Sequence, residues 1–325
     1  MLADPLEDRV RAALDAADDV TASASDRADM LVEIAMDLQR RPRTPAYLAA
    51  AVALYDRALA LCPDDQMLTR ARITARKGTA LQAIPEEGTE SLQQARSAYD
   101  EALPVLIRSG RAEERAEAEM NLGIVLQSLA AVGRARIGDA IAAYQRALTV
   151  FHGRRYPVEY ALLQSNLATA FLSVPATDSS GKIREALAVQ AFEDALKVLN
   201  PARHPNEYAM VQNNLGNALQ YASSTHVVEN NIRALAAYDE ALKIRTREAV
   251  PLEYANTIAN KANCLRNLPD DPSQPELGNR ANLGAARALC AEARAIFAAH
   301  REAGRARIMA DAVDEIEREI LSLDA

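Results

Sequence analysis

The 325-residue sequence has no Trp, only 4% aromatic residues, three cysteines and no long apolar run. A membrane-spanning helix needs about 20 consecutive apolar residues, so the sequence argues against one. Cys62, Cys264 and Cys290 lie far apart and form no CxxC pair. We therefore interpret them as small buried apolar side chains in a protein of a reducing compartment.

Signals for export, metal binding and catalysis are also missing. The first ten residues contain no basic stretch followed by an apolar one, so we expect no secretory signal and a cytoplasmic location. The four histidines show neither HxxxH nor HExxH spacing, which predicts no metal site. Without a G-x-S-x-G motif, a phosphate loop or a Cys/His pairing, we expect a non-enzymatic protein that needs no cofactor.

The composition is rich in Ala, Leu, Arg and Glu, which favours a helical protein. The net charge of −8 argues against binding of nucleic acid. Short basic tracts at 40–43, 134–136 and 154–155 lie at predicted helix ends or turns, and we interpret them as solvated charges.

Two segment types alternate along the chain and indicate copies of one two-helix unit. Five second segments carry an aromatic residue at spacings of 44 to 48 residues, each followed three residues later by Ala, as expected where paired helices approach closely. These residues are Tyr55, Tyr99, Tyr144, Phe192 and Tyr238, and in a sixth unit Cys290 occupies the same position. Three first segments begin with Pro-x-Glu-Tyr, at Pro157, Pro205 and Pro251. Pro suits the first helical position and Glu the positive helix end, so these residues have a structural explanation.

The segment boundaries follow from turn residues. We predict a short helix over Pro5–Asp18 and a first unit that pairs Asp26–Gln39 with Ala46–Leu61, with Asp26 as N-cap and 41–45 as the turn. Residues 62–65 should close this unit and cap the next. Polar loops are expected at 175–181, 222–230 and 269–275. The sixth unit should pair Pro251–Asn267 with Glu276–Ala299.

A last helix is expected from about Arg305 to Leu321, with one apolar stripe and acidic flanks. The stripe consists of Ile308, Ala312, Val313, Ile316 and Ile320. The predicted organisation is an N-terminal segment at 1–25, a repeat array at 26–300 and a capping helix at 301–325.

The first segments contain Asn-Leu-Gly, as at Leu122-Gly123 and Leu215-Gly216, and the second contain A-x-x-x-[YF]-x-x-A-L. These patterns resemble the tetratricopeptide repeat, over roughly 26–299 and most specifically over 114–265. The long period is similar to that of kinesin light chain, and 245–265 resembles arrays of bacterial proteins that carry caspase-like protease domains. The resemblance implies an all-α solenoid, a right-handed superhelix of about six hairpins, that serves as a protein-binding scaffold or adaptor.

Within that resemblance, the first helices line a concave groove, and the residue two before the Gly position points into it. This column reads Arg76, Asn121, Asn166, Asn214 and Asn260, with further amides at Asn213, Asn217, Asn256 and Asn263. Each amide offers a donor and an acceptor to an extended peptide backbone. The alternative is that these amides only tie neighbouring helices together.

Arg72 and Arg76 lie four residues apart and can present two guanidiniums to an acidic group of the ligand. The alternative is a solvated face or salt bridges to Glu114 and Glu117.

We therefore predict a protein or peptide partner, bound in the groove, with no nucleic acid and no membrane involved. The competing interpretation is an accessory, regulatory or maturation factor that docks on an enzyme through its convex face or loops such as 223–230. The sequence carries no signal for an oligomeric state.

Overall fold

The computed structural model describes residues 5–174, 180–222 and 226–323. Within these ranges the regular elements are fourteen α-helices and one 3-10 turn, and no residue is in a strand. The chain divides into two compact units, Met1–Phe151 and His152–Ala325. The predicted all-α class is confirmed.

The first unit consists of one short helix followed by three helical hairpins, α2/α3, α4/α5 and α6/α7. The bounds are α1 Pro5–Ala17, α2 Ala24–Arg40, α3 Pro45–Leu61, α4 Met67–Gln82, α5 Glu90–Ser109, α6 Ala112–Ala131 and α7 Ile137–Leu148. Helix α1 packs on α2, as the apolar spacing of its residues predicts.

The second unit consists of three further hairpins, α8/α9, α10/α11 and α12/α13, followed by α14. The bounds are α8 Pro157–Ser173, α9 Ser180–Val198, α10 Pro205–Gln220, α11 Val227–Leu242, α12 Pro251–Arg266, a 3-10 turn Pro275–Leu277, α13 Arg280–Ala299 and α14 Ala303–Ser322. The predicted number of six hairpins is confirmed. The three predicted segments, 1–25, 26–300 and 301–325, stay a prediction.

The core of each hairpin is built around one repeated position of its second helix, which holds an aromatic residue in five hairpins and Cys290 in the sixth. All six of these side chains are buried, and so is the Ala three residues after each. The facing position on the first helix is small, because the ring lies directly against its backbone. A Cβ atom added at Gly123 would lie 2.4 Å from the Tyr144 ring, and one at Gly216 would lie 2.5 Å from the Tyr238 ring. In these two hairpins the glycine of the Leu-Gly motif is therefore required by packing.

The buried tyrosines share a second requirement, a hydrogen-bond acceptor for the phenol. The hydroxyl of Tyr144 donates to Gln127 Oε1 at 2.8 Å, and that of Tyr238 donates to Gln220 Oε1 at 2.9 Å. The same bond joins Tyr55 to Gln39 and Tyr99 to Gln82. Where the aromatic residue is Phe192, the position equivalent to Gln is Leu172. The phenol and the amide thus occur together or are both absent in these five hairpins.

Several predicted helix ends need correction at the N-terminal side of the chain. The N-cap of α2 is Ser23 and not Asp26, because the Ser23 hydroxyl accepts from the Asp26 N–H at 3.1 Å. Pro45 is the first residue of α3 and does not belong to the turn. Residues 62–65 form a turn but do not cap α4, which begins after Gln66 without a side-chain cap.

Later boundaries also shift. Helix α13 begins at Arg280 and not near Glu276, since both Asp270 carboxylate oxygens accept from the Ala281 and Asn282 N–H groups at 2.8 Å and cap the helix there. The predicted loop 222–230 ends at His226, because α11 begins at Val227, and residues 223–225 lie outside the described residues. Residues 175–179 of the predicted loop 175–181 also lie outside them, while residues 180 and 181 already belong to α9.

The last helix, α14, packs one face on α13. Ile316 is buried, and Ala312, Val313 and Ile320 are partly buried around it. Ile308 is 60% exposed, so its place in the predicted stripe was wrong, and Met309 occupies it instead. The prediction failed because one residue of offset rotates a side chain by about 100° around a helix.

Candidate functional site

In the first unit, the two predicted arginines line a small pocket between α4 and α6. The pocket has a volume of about 130 Å³, and its polar lining includes Arg72, Arg76, Thr79, Arg111, Glu114, Glu117 and Asn121. Arg72 Nη2 donates to Glu114 Oε2 at 3.2 Å, and Arg72 Nε lies 3.1 Å from Glu114 Oε1. The alternative salt bridge to Glu114 is thus present.

Glu114 is shared between two arginines. Its Oε2 also accepts from the Arg111 N–H at 3.0 Å, and its Oε1 lies 3.1 Å from Arg111 Nη2. Burial alone would raise the pKa of Glu114, but the hydrogen bonds from Arg111 and Arg72 outweigh it, and the pKa lies below its usual value. Arg72 therefore has an internal partner, whereas Arg76 is exposed and has no hydrogen bond or ion pair among the described residues.

Asn121, the amide predicted in the first unit, is buried beside α4. Its Nδ2 donates to Thr79 Oγ1 at 3.5 Å, and that hydroxyl lies 3.0 Å from the Tyr99 hydroxyl. Asn121 thereby ties α6 to α4, which is what the alternative interpretation of the amides describes.

In the second unit, two hydrogen bonds bridge the first helices α10 and α12. Asn260 Nδ2 donates to Asn213 Oδ1 at 3.2 Å, and Asn263 Nδ2 donates to the Tyr221 hydroxyl at 2.7 Å. Asn213 also donates to Asn214 Oδ1 at 3.4 Å. The structure therefore brings these predicted amides together, but it uses part of their hydrogen-bonding capacity internally.

The remaining predicted amides are half-buried. Asn217 Oδ1 accepts from the Tyr238 hydroxyl at 2.7 Å, which leaves its NH₂ group available. Asn166 and Asn256 have no side-chain hydrogen bond among the described residues. The first-helix surface of the second unit, which we define by Asn166, Asn214, Asn217, Asn256, Asn260 and Asn263, thus combines bonded and unbonded amides.

A pocket of about 360 Å³ between α8, α9 and α10 adjoins this surface. Its lining includes Phe171, Leu172, Val174, Asn217, Ala218 and Tyr221. Leu172 is 41% exposed and Tyr221 is 69% exposed, so apolar atoms meet solvent at this point. No motif in the sequence predicted this pocket. Its signal in the sequence is Leu172, which occupies the position held by Gln in the four hairpins built around a tyrosine.

Ser165 on α8 was also missed. It is 3% exposed, and its hydroxyl has no hydrogen-bond partner in the described structure. Buried hydroxyl groups are nearly always hydrogen-bonded, so the Ser165 hydroxyl is an exception among the buried polar groups of this chain.

The part of the chain that is described contains no cluster of three or more His, Cys, Asp or Glu side chains that could hold a metal ion. None of its helices is long and apolar enough to cross a lipid bilayer. The cysteines are buried as predicted, and burial raises the pKa of Cys264 to about 12. A thiol with so high a pKa is a poor nucleophile at neutral pH.

Comparisons with known proteins place the fold. No family model and no curated protein matches the sequence. Among solved structures, the apo form of RapI superposes with a TM-score of 0.58 at 12% identity, over 91% of this chain and 99% of that chain. BtubC, also named BKLC, from P. vanneervenii superposes with a TM-score of 0.50 at 19% identity, over 92% and 93% of the two chains. The chain is an all-α solenoid of helical hairpins, which is consistent with repeats of the tetratricopeptide type. The likeness to kinesin light chain and to the arrays with caspase-like proteases stays a prediction.

Proposed function

We propose that this protein is a non-catalytic interaction module that holds an extended protein segment on the first-helix surface of its second unit. The observation that carries this proposal is the set of half-buried asparagines on α8, α10 and α12. Asn is unfavourable inside helices, because its side chain competes for backbone hydrogen bonds. A concentration of such residues needs compensating hydrogen bonds, and the described part of the chain supplies only some of them.

The chemistry of the surface fits a peptide backbone. An amide supplies both a donor and an acceptor, as the alternating N–H and C=O groups of an extended chain require. Lys261, close to the surface, is paired with Asp239 at 2.5 Å, so it adds no free charge. The ligand is therefore a protein segment rather than nucleic acid, in keeping with the net charge of −8.

In the first unit, Arg76 remains a candidate contact for an acidic group of the partner. Arg72 is a weaker candidate because Glu114 already engages its guanidinium. Glu117 lines the same pocket, so the site selects acidic groups less strongly than two free arginines would.

The test replaces Asn166, Asn214 and Asn260 together by Ala. We expect the variant to lose capture of its partner from cells of the source organism, measured by affinity purification and quantitative mass spectrometry. Loss of the Asn260–Asn213 and Asn213–Asn214 bonds should cost about 1 kcal/mol each, so the melting temperature should fall by a few degrees at most.

The matched control replaces three exposed amides on second helices, Gln93, Gln94 and Gln190, by Ala. This variant should capture the same partner as the unaltered protein. If the asparagine variant retains full capture, the first-helix surface is not the binding site.

A second candidate function is an accessory or maturation factor that docks on an enzyme through second helices. It is favoured by Val227, Val228 and Ile232, three exposed apolar residues at the start of α11. Replacement of Val227 and Ile232 by Ser should abolish partner capture under this alternative and leave it unchanged under the first proposal.

A further inference from the structure

The furrow between α8 and α10 differs from the neighbouring furrow between α10 and α12 in its internal bonds. The positions of both α10–α12 bonds can be counted from the small core-facing residue of each helix, Gly216 in α10 and Ala262 in α12. On α10 the bonded residues lie three before and five after Gly216. On α12 they lie two before and one after Ala262. In α8 the two bridging positions hold Ser165 and Ser173, where α10 holds Asn213 and Tyr221. Serine is too short to reach across.

The consequence is a set of polar groups without internal partners. Ser173 turns back and donates to Thr169 O at 2.8 Å. The buried Ser165 hydroxyl has no partner, Asn166 beside it has no side-chain bond, and the NH₂ groups of Asn214 and Asn217 make none within the described residues. Hydrogen bonds bridge the α10–α12 furrow, whereas none between described residues bridges the α8–α10 furrow.

The 360 Å³ pocket lies at the same furrow, with Phe171, Leu172 and Val174 from α8 and Asn217 and Tyr221 from α10. Its two charged lining residues, Arg184 and Glu185, have opposite signs. The pocket therefore has no net charge, which favours an apolar side chain over an ionised one. The volume is sufficient for one large side chain.

We propose that the partner segment lies in the α8–α10 furrow, with its backbone on Asn166, Asn214 and Asn217 and one large apolar side chain in this pocket. This inference rests on the proposed function and specifies its ligand. The furrow from Ser165 to Ser173 covers eight residues of helix, about 12 Å. An extended chain spans that distance with about four residues, and these four are uncharged.

The experiment uses a phage-displayed library of random dodecapeptides selected on the full-length protein. We expect the enriched peptides to share one Leu, Ile, Met or Phe within an uncharged stretch. The affinity of one such synthetic peptide is then measured by fluorescence anisotropy for the unaltered protein and for variants.

The decisive variant is the double substitution Ser165→Asn and Ser173→Tyr, which supplies on α8 the side chains that bridge α10 to α12. It should lower the peptide affinity at least tenfold without loss of helix content. Its control is Ser109→Tyr, the same change at the exposed last residue of α5, and this variant should bind normally. Leu172→Asp, at an exposed position, gives an independent arm that does not depend on the buried Ser165. Its control is Ile107→Asp, the same kind of change at an exposed position of α5.

The outcomes separate the two proposals. If the peptides depend on the asparagines but bind the double variant and Leu172→Asp with full affinity, the furrow assignment is wrong and the proposed function stands. Enriched peptides without a shared apolar residue also overturn the furrow assignment. If no peptide is enriched, both proposals fail.

Discussion

At the scale of single residues, the tyrosine hydroxyl explains why the same amide recurs on the facing helix. A buried phenol without an acceptor loses its hydrogen bonds to water and gains nothing in return. Four hairpins supply Gln for this purpose, and the fourth along the chain avoids the need by using Phe192 opposite Leu172.

This pairing predicts the outcome of a double-mutant cycle in the third hairpin. Tyr144→Phe removes the donor to Gln127 and should lower the free energy of unfolding by about 1 kcal/mol. Adding Gln127→Leu reproduces the Phe192–Leu172 pair and should recover most of that loss, as measured by urea denaturation. If the two changes simply add, the bond is not what couples these positions.

At this scale, the sequence predicted a residue's position correctly where only one side chain could occupy it. The prediction failed where two nearby side chains were equally suited to the same role. The buried column of Tyr55, Tyr99 and Tyr144 follows from spacing alone. The N-cap of α2 does not, because Ser23 and Asp26 are both good caps and only the position of the first helical turn selects between them. Arg72 was placed near Glu114 as one of two alternatives, and its partner depends on how α4 and α6 align.

At the scale of helical elements, the close approach of the two helices in a hairpin sets the strictest limit on sequence. Tyr144 lies against the backbone of α6 at Gly123, and any side chain there has to displace the ring. The facing residue is Ala35 in the hairpin of Tyr55, Ala168 in that of Phe192 and Ala262 in that of Cys290, so a methyl group is tolerated in those three hairpins.

Two glycine substitutions should therefore change stability in opposite directions. Gly123→Ala puts a Cβ atom 2.4 Å from the Tyr144 ring and should destabilise the protein by about 1–3 kcal/mol. Gly284→Ala in α13 meets nothing within 4 Å and should stabilise it by about 0.5–1 kcal/mol through helix propensity. Thermal unfolding measured by circular dichroism distinguishes the two, and a stabilising Gly123→Ala would refute the packing argument.

The pocket and the furrows could not be predicted from sequence, because both depend on which residues face each other across two first helices. The amide bonds Asn260–Asn213 and Asn263–Tyr221 join residues 47 and 42 positions apart. Periodicity shows that each residue lies on a first helix, but the register between helices comes from packing. The sequence therefore indicated which side chains are candidates and not which of them remain unbonded.

At the scale of the whole molecule, the buried tyrosines occur in both compact units. Burial raises the pKa of Tyr55 to about 12 and raises the pKa values of Tyr99, Tyr144 and Tyr238 further still. In the unfolded chain a tyrosine ionises near pH 10. Above that pH the unfolded chain releases protons that the folded protein retains, so stability is lost as the pH rises from about 10.

We therefore expect alkaline unfolding in which these four tyrosines ionise together with the loss of helix. Tyrosinate absorbance and far-ultraviolet circular dichroism, followed along one pH titration, should show a shared transition above pH 10. The absence of Trp makes the absorbance signal easy to assign. Complete ionisation of all tyrosines with helix content unchanged would show that the phenols are accessible in the native protein.

The Phe192–Leu172 pair also bears on how copies of a duplicated hairpin diverge. If a copy replaces only the Tyr or only the Gln, the remaining phenol or amide is buried without its hydrogen-bond partner. Such a single replacement therefore destabilises the hairpin. A copy that replaces both the Tyr and the Gln by apolar residues avoids this cost and gains an aliphatic side chain at the end of its first helix. In this protein that side chain is Leu172, which lines the 360 Å³ pocket together with Tyr221. Specialised copies in tandem arrays should therefore be recognisable by the joint loss of these two polar groups, before any ligand is known.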